Sequence, residues 1–238
     1  DANSIGDEPF QYYSKFKNIS VAVDKKRRRG INKLIEHGVN LIILDDAFQH
    51  RKVIPTYSLL LSDYSNLYLN DYLFPWGTLR ESKKGSKRAD SIVITKCPEN
   101  FSQSDKSYLI DRVKLSSNQH IFFSKIKYSE ELHSSSDTLN IMKLLNKKVN
   151  VVTGIVNSEV LISFLEDKNI TVEHFKYPDH FDYKEKDILK FRDNITITTE
   201  KDYSKLRKFN IENLYYLPIS VDISEEKIFI ETIRDRIT

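Results

Sequence analysis

Short apolar runs that alternate with amphipathic stretches limit the possible folds of this 238-residue chain more than any other feature. Strands that alternate with helices build mainly parallel sheets with helices packed on their faces. The predicted strands are residues 19–23, 40–44, 57–61, 91–95, 149–153, 171–177, 195–199 and 214–217. The predicted helices are residues 27–37, 102–114, 158–167, 183–191, 203–209 and 225–237. The pattern therefore predicts an α/β fold.

A polar break interrupts this alternation near the middle of the chain. Residues 120–128 (HIFFSKIKY) alternate in character, which is typical of a half-exposed antiparallel strand. Residues 129–146 are polar and partly serine-rich, as linkers are. The sequence thus predicts two α/β/α lobes with mainly parallel sheets. The predicted boundaries are a first lobe at 1–119, a linker with antiparallel strands at 120–147 and a second lobe at 148–238.

Composition and charge exclude several classes of protein. The net charge of +3 is too small to indicate a nucleic-acid partner. Basic residues cluster at Lys25–Arg29 and Lys83–Arg88, which indicates solvated helix faces or, alternatively, contact with phosphates or an anionic membrane. The single cysteine, Cys97, cannot form a disulfide within the chain and fits a reducing compartment. No apolar run approaches 18 residues, so no spanning segment is predicted.

The stretch LIILDDAFQHR, Leu41–Arg51, ends an apolar strand with two adjacent carboxylates, Asp45 and Asp46. Ligands of parallel sheets bind at the carboxyl ends of the strands. A carboxylate in this place is the arrangement that holds Mg²⁺ beside nucleotide phosphates in P-loop enzymes. The alternative is an aspartate that caps the next helix, with the second aspartate in solvent.

Three further stretches carry side chains suited to chemistry. In FPWGTLRE, Phe74–Glu81, a rigid turn directs Arg80, whose guanidinium can bind a phosphate; the alternative is a surface loop with an Arg–Glu pair. GDEP, Gly6–Pro9, is a second acidic pair. In YPDHFDY, His180 follows a predicted strand and could pair with a carboxylate, although a lone histidine is usually structural.

Taken together, these stretches resemble one family, the tetraacyldisaccharide 4′-kinases of lipid A biosynthesis, which are P-loop-type kinases of Gram-negative bacteria. The resemblance covers nearly all of the chain and rests on seven motifs in order. They are IGDEP, LDDAFQHR, FPWGTLRE, KRAD with VITK, VTGIVN, YPDHFDY and TTEKD.

The resemblance implies a reaction and a location. The γ-phosphate of ATP is transferred, with Mg²⁺, to the 4′-hydroxyl of a tetraacyl glucosamine disaccharide 1-phosphate, and the product is lipid IVA. The implied partners are this acylated disaccharide phosphate and the membrane surface, without nucleic acid. The implied location is the cytoplasmic face of the bacterial inner membrane, as a peripheral protein. The implied fold is two α/β/α lobes joined by a two-stranded linker, with the active site between them.

The resemblance also assigns roles to individual residues. Asp7 is expected to be the catalytic carboxylate that assists the attacking hydroxyl, and His180 its orienting partner. Asp45 and Asp46 are expected to hold Mg²⁺, and these four residues are expected to converge on one cleft. Four more residues are expected to bind substrate or phosphate: Arg80, Gln49, His50 and Glu8.

Two departures from the family pattern shape the expectations. Ala47 stands where the family usually has glycine. No G-x-x-x-x-G-K-[ST] phosphate loop occurs in the 238 residues, so the chain resembles the family without roughly its first third. Alone, it is expected to bind ATP weakly, to lack kinase activity and to expose an apolar strand edge. Two alternatives stay open: a non-catalytic remnant that binds acidic lipid or a partner, and a different ATP-dependent P-loop-like enzyme.

Overall fold

The computed structural model describes residues 5–237, except for the side chain of Asp7. The chain divides into two units, each built from two separate stretches. Asp1–Val23 and Tyr128–Ser220 form what we call the six-stranded unit, and Asp24–Lys127 and Val221–Thr238 form the four-stranded unit. The boundaries predicted from the sequence divide the chain consecutively, at 1–119, 120–147 and 148–238, and stay a prediction.

The elements follow one another in largely alternating order. The α-helices are α1 (Asp7–Lys15), α2 (Arg27–Glu36), α3 (Gln103–Val113), α4 (Glu159–Glu166), α5 (Glu185–Ile188), α6 (Glu200–Leu206) and α7 (Glu226–Ile237). The strands are β1 (Leu59–Asp63), β2 (Ser91–Thr95), β3 (His120–Tyr128), β4 (Glu131–His133), β5 (Thr138–Asn140), β6 (Lys148–Thr153), β7 (Thr171–Lys176), β8 (Thr196–Thr198), β9 (Leu214–Tyr216) and β10 (Ile219–Ile223). Short 3₁₀ helices occur at Lys83–Arg88, Ile141–Leu144 and Arg207–Phe209.

The four-stranded sheet has the strand order β1-β2-β3-β10. Strand β2 pairs in parallel with both β1 and β3. Because β2 has a neighbour on each side, its sequence SIVIT is apolar in the middle and almost fully buried. Its side chains Ile92 and Ile94 pack with Leu109 and Val113 of α3 and with Phe123 of β3. This packing supplies the core of the unit.

The start of α3 illustrates how local sequence sets an element boundary. The Ser102 hydroxyl accepts the backbone N–H of Asp105 at 3.2 Å, and the Asp105 carboxylate accepts the N–H of Ser102 at 2.8 Å. This reciprocal capping box satisfies two backbone donors that the first turn would leave unpaired. It confirms Ser102 as the predicted N-cap.

The six-stranded sheet has the order β5-β4-β9-β8-β6-β7. Strands β9, β8, β6 and β7 are parallel neighbours, whereas β4 pairs antiparallel with both β5 and β9. Strand β6 carries apolar side chains on both faces. Val151 on one face packs with α4, and Val152 on the other face packs with Leu206 of α6. The prediction of an α/β fold with mainly parallel sheets is confirmed.

Three predicted elements are wrong. Residues 19–23 and 40–44 are not strands but irregular backbone, and Leu41 and Ile43 are 60% and 87% exposed. A strand needs a neighbour to pair its N–H and C=O groups, and no strand within residues 5–237 pairs with either segment. Strand β3, residues 120–128, is parallel to β2 and not antiparallel, because a helical crossover through α3 returns the chain in the same direction.

Within residues 5–237, no helix combines the length and the apolar character that crossing a bilayer requires.

Candidate active site

His180 lies in a tight turn directly after β7, and its backbone is left-handed, with φ 58°. The Asp179 carboxylate holds this turn: its Oδ1 accepts the backbone N–H of His180 at 3.0 Å and the Nζ of Lys201 at 2.6 Å. The hydrogen bond from Lys201 lowers the pKa of Asp179, which keeps the carboxylate charged at neutral pH. A non-glycine residue in this conformation is uncommon and persists only where the surroundings support it. The Asp179–Lys201 pair supplies part of that support.

Asp202, next to Lys201 on α6, anchors the end of the same turn from inside the core. It is 1% exposed, and it accepts hydrogen bonds from the Gly154 N–H at 2.8 Å, the Thr199 hydroxyl at 2.8 Å and the Tyr183 hydroxyl at 3.2 Å. Burial raises the pKa of Tyr183, so its hydroxyl remains a neutral donor. The motifs VTGIVN, YPDHFDY and TTEKD therefore meet around one buried carboxylate.

Gly154 allows this close approach because it has no side chain. A Cβ at this position would lie 2.9 Å from Asp202 Oδ1 and 3.1 Å from the Tyr183 hydroxyl. The first distance is shorter than real Cβ contacts and the second is tight, so a larger residue would force the carboxylate to shift relative to its donors.

His180 also lines an open pocket of about 470 Å³ together with Gly6, Glu8 and Pro9. Glu8 is exposed, and Asp7 is the first residue of α1, directly after Gly6 with φ 94°. The side chain of Asp7 lies outside the described residues. The structure thus brings together Glu8 and His180, two of the predicted site residues.

Helix α1 contacts α6, the helix that carries Lys201 and Asp202. Lys15 Nζ lies 2.9 Å from Glu200 Oε2, and the Arg207 guanidinium lies 6.0 Å from the centre of the Phe10 ring. The GDEP motif at the start of α1 and the anchors of the His180 turn therefore belong to one packed arrangement within the six-stranded unit.

In the four-stranded unit, Asp45 and Asp46 form a turn after the irregular segment 40–44, and both are exposed. The Arg27 guanidinium donates to the backbone carbonyls of Asp45 and Asp46 at 3.2 and 2.9 Å. Arg80 Nη1 lies 3.4 Å from Asp46 Oδ2, with both side chains largely in solvent. Arginine contacts thus hold the backbone of the turn and partly balance its negative charge.

The left-handed residue of this turn is Asp46, with φ 43°, and not Ala47. Alanine at position 47 therefore meets no backbone restriction that glycine would relieve. Gln49 is exposed and His50 is half-buried, and the His50 N–H donates to the Ala47 carbonyl at 2.8 Å. The predicted roles of Gln49 and His50 stay predictions.

Glu81 connects the two motifs that surround this turn. Its carboxylate accepts Arg51 Nη2 at 2.9 Å and Arg88 Nη2 at 2.7 Å, and the bond from Arg88 lowers the pKa of Glu81. Arg88 also reaches the Phe48 carbonyl at 3.3 Å and lies over the Phe48 ring. The Arg–Glu pair considered for the FPWGTLRE stretch is therefore formed by Glu81 with Arg51 and Arg88. Arg80 instead lies beside Asp46.

The donor set at Asp45 and Asp46 fits Mg²⁺, which commonly takes one or two protein carboxylates and completes its shell with waters and phosphate oxygens. In the part of the chain that the structure describes, no group of three or more His, Cys, Asp or Glu side chains could enclose a metal by itself. A cation held here would therefore need oxygen ligands from outside these side chains.

The expected site residues fall into two groups. Glu8 and His180 lie in the six-stranded unit, and Asp45, Asp46 and Arg80 lie in the four-stranded unit. That they share one cleft with Asp7 stays a prediction. Three supporting residues were not singled out from the sequence: Arg27, Lys201 and Asp202. They lie in the basic run at Lys25–Arg29 and in the TTEKD motif.

Comparison with known proteins gives a consistent result. The sequence model of a family described as tetraacyldisaccharide-1-P 4′-kinase (LpxK) matches residues 1–238. A tetraacyldisaccharide 4′-kinase of Flavobacterium psychrophilum is 39% identical over 239 residues, which cover 96% of this chain and 69% of that protein. The enzyme of the same name from Bacteroides thetaiotaomicron is 33% identical and is covered to 67% of its length.

A crystal structure of LpxK from Aquifex aeolicus, described as an "apo" form in complex with ATP, has the same fold. It superimposes with a TM-score of 0.74 at 26% identity and covers 98% of this chain and 69% of the Aquifex chain. The chain thus spans about two thirds of the length of these relatives. The resemblance seen in the seven motifs is confirmed, and the chain belongs to the tetraacyldisaccharide-1-P 4′-kinase family.

Proposed function

We propose that these residues form the larger part of a kinase that transfers the γ-phosphate of ATP to the 4′-hydroxyl of tetraacyldisaccharide 1-phosphate and so produces lipid IVA. The observation that carries the proposal is the His180 turn. It is held in a left-handed conformation and lines one pocket with the GDEP segment of α1. A histidine beside an acidic segment is an arrangement suited to proton transfer from a hydroxyl. Membership of the kinase family supports this reading.

In the proposed reaction, the 4′-hydroxyl oxygen forms a bond to the γ-phosphorus while the bond to the β-phosphate oxygen breaks and ADP leaves. The Asp7 carboxylate takes the hydroxyl proton. His180 orients Asp7 and is in turn held by the Asp179–Lys201 pair. Glu8, on the same pocket, is the second acidic group near the hydroxyl. Positioning of these groups by rigid elements lowers the barrier because little reorganisation remains at the moment of reaction.

Asp45 and Asp46 would hold Mg²⁺. The bound cation supplies neutralisation of the negative charge that the phosphates carry during transfer. Arg80, beside Asp46, is suited to a phosphate oxygen because a guanidinium presents paired donors. We assign Gln49 and His50 to the pocket that would hold this Mg²⁺ and the phosphates. ATP as the phosphate donor is supported by the Aquifex relative, whose structure is described as an ATP complex.

We further propose that the protein works at the cytoplasmic face of the inner membrane, as a peripheral protein, because its proposed substrate carries four acyl chains. The partners are then the acylated disaccharide phosphate and the membrane surface.

The direct test is a phosphate-transfer assay with the full natural protein that contains these residues. Labelled γ-phosphate should appear on the 4′-position of the tetraacyl disaccharide and depend on Mg²⁺. Transfer only to water, or an acyl-phosphate product, would support a different ATP-dependent enzyme. No transfer, with lipid binding retained, would support a non-catalytic role.

The 238 residues alone should behave differently from that protein. P-loop enzymes bind the triphosphate with backbone N–H groups of a glycine-rich loop and one lysine, and no such motif occurs in these residues. We therefore expect weak or undetectable binding of Mg·ATP in isothermal titration of this chain and no transfer activity. Micromolar binding would show that the nucleotide site has been assigned to the wrong residues.

A further inference from the structure

The loop from Asp71 to Leu79 is internally hydrogen-bonded, and Leu73 and Leu79 form an isolated parallel bridge across it. The Phe74 N–H donates to the Leu79 carbonyl and the Leu79 N–H to the Tyr72 carbonyl, both at 3.0 Å. At its base, the Asp71 carboxylate accepts the backbone N–H groups of Tyr72 and Thr78 at 2.7 and 3.0 Å, and it also accepts the Thr78 hydroxyl. These bonds hold the two ends of the loop together.

Gly77 makes this compact base possible. A Cβ at position 77 would overlap the Asp71 carboxylate and the backbone of Tyr72. The loop is therefore built around a glycine in a place where any side chain would open it.

The tip of this loop, residues 72–76, exposes apolar side chains. Tyr72, Leu73, Phe74 and Trp76 are 67%, 50%, 80% and 86% exposed. Contiguous exposed apolar side chains on a well-ordered loop mark an interaction site. Tryptophan and tyrosine in particular are enriched where a protein meets the interface between lipid and water. We call these four residues the aromatic tip.

Cationic side chains follow the aromatic tip in the 3₁₀ helix Lys83–Arg88. Lys83 Nζ lies 5.4 Å from the centre of the Tyr72 ring and donates to the Leu69 carbonyl at 2.7 Å. Lys84 and Lys87 of the same short helix are exposed. A cationic side chain close to an anionic membrane is attracted to the lipid phosphates and strengthens binding.

We propose that the aromatic tip enters the interface of an anionic bilayer while Lys83, Lys84 and Lys87 contact lipid phosphates. This combination favours a lipid surface over a protein partner, because lysine is depleted from the cores of protein interfaces. The same loop leads directly into Arg80, which lies beside Asp46. The inference rests on the proposed function in one respect, namely that a lipid substrate has to be reached at a membrane.

Trp76 is the only tryptophan of the chain, so its fluorescence reports on the aromatic tip alone. The experiment mixes this 238-residue chain with vesicles of phosphatidylcholine, with and without phosphatidylglycerol. We expect Trp76 emission to shift to the blue with the anionic vesicles and to be quenched by brominated lipids at the depth of the interface. The effect should weaken at high salt, because screening reduces the attraction of the lysines.

Matched variants separate the two contributions. Phe74→Ser should weaken vesicle binding roughly tenfold or more, since it removes one large buried side chain from the bound state. Replacing Lys83, Lys84 and Lys87 with glutamine should remove the preference for anionic vesicles. Val156→Ser is the control, because Val156 is 82% exposed but lies in the six-stranded unit. It should leave binding unchanged.

Several outcomes would overturn the proposal. Trp76 emission that does not respond to anionic vesicles would do so, as would binding that survives both Phe74→Ser and the lysine replacements. Emission that is already blue-shifted without lipid, and that changes with protein concentration, would show that a second copy covers the aromatic tip. The vesicle assay needs neither ATP nor substrate. Vesicle binding without phosphate transfer by the full natural protein would therefore leave the aromatic tip standing and remove the kinase assignment.

Discussion

The two units hold their key carboxylates in opposite ways. Asp202 in the six-stranded unit is buried and accepts three hydrogen bonds, two of them from residues of other motifs. Asp45 and Asp46 in the four-stranded unit are exposed; the Asp45 carboxylate accepts the Asp46 N–H, and the Asp46 carboxylate lies beside Arg80. A buried carboxylate must be fully hydrogen-bonded, whereas an exposed pair can leave its oxygens to water or a ligand.

This difference fits a structural role for Asp202 and the metal-binding role that we propose for Asp45 and Asp46. Asp202 and Lys201 fix the His180 turn before any ligand is present. Asp45 and Asp46 keep two adjacent negative charges whose mutual repulsion a divalent cation would relieve. The six-stranded unit thus supplies a rigid frame, and we propose that the four-stranded unit supplies open oxygen ligands.

The largest expected effect is on kcat, at Asp7 and His180, the two residues that we propose the rigid frame positions. In the full natural protein, Asp7→Ala and His180→Ala should each lower kcat roughly 10²- to 10⁴-fold, as loss of a general base does. The double variant should be little worse than the worse single variant, because residues that act as a unit are not additive. His120→Ala, at an exposed histidine of the four-stranded unit, should leave kcat unchanged. Multiplicative losses would show that Asp7 and His180 act separately.

Truncation of the buried carboxylate should cost stability, and truncation of an exposed one should not. Asp202→Ala leaves the donors of Gly154 and Tyr183 unpaired in the core, and we expect a loss of roughly 2 to 4 kcal/mol in the free energy of unfolding. Asp46→Ala should change it by less than about 0.5 kcal/mol, as surface substitutions usually do. Hydrogen exchange resolved by peptide would locate the Asp202→Ala effect in β6, β8 and the His180 turn. Equal losses of stability for Asp202→Ala and Asp46→Ala would contradict the difference between the buried and the exposed carboxylates.

The metal-binding role that we propose for Asp46 predicts a change in the Mg²⁺ concentration that the reaction needs and no change in stability. Asp46→Asn in the full natural protein should raise the Mg²⁺ concentration needed for half-maximal transfer roughly tenfold or more. Asp111→Asn, at an exposed position of α3 in the same unit, is the matched control and should not shift the Mg²⁺ titration. An unchanged titration for Asp46→Asn would assign the metal to other ligands.

The smallest expected effect is on the free energy of unfolding and comes from the ion pair between Lys201 and Asp179. Lys201→Met removes an ion pair with a partly exposed partner, and we expect it to lower stability by about 0.5 kcal/mol at neutral pH. Because the folded-state pKa of Asp179 is lowered, its stabilisation is complete above the unfolded pKa of about 3.9 and disappears as pH falls through the folded value. The difference between wild type and variant in urea unfolding should therefore vanish in strong acid. A difference that grows on acidification would exclude this pair as its source.

Local patterns in the sequence predicted those elements whose neighbours are present. SIVIT is a strand at residues 91–95, as expected, and Ser102 caps α3. The apolar run at 40–44 was equally strand-like, yet it lies in irregular backbone because no described strand pairs with it. The expectation of an exposed apolar segment there holds for Leu41 and Ile43, but not as a strand edge.

The sequence by itself determined the α/β class, the parallel direction of most strands, the family and the residues suited to catalysis or binding. These depend on periodicity and short motifs. Only the tertiary structure decided that VTGIVN, YPDHFDY and TTEKD serve one buried carboxylate. Gly154 and Asp202 are 48 positions apart, and no local pattern specifies a hydrogen bond between them. The structure also decided which arginine meets which acid, since Arg51, Arg80 and Arg88 are equivalent as sequence letters and differ only in where the folded backbone places them.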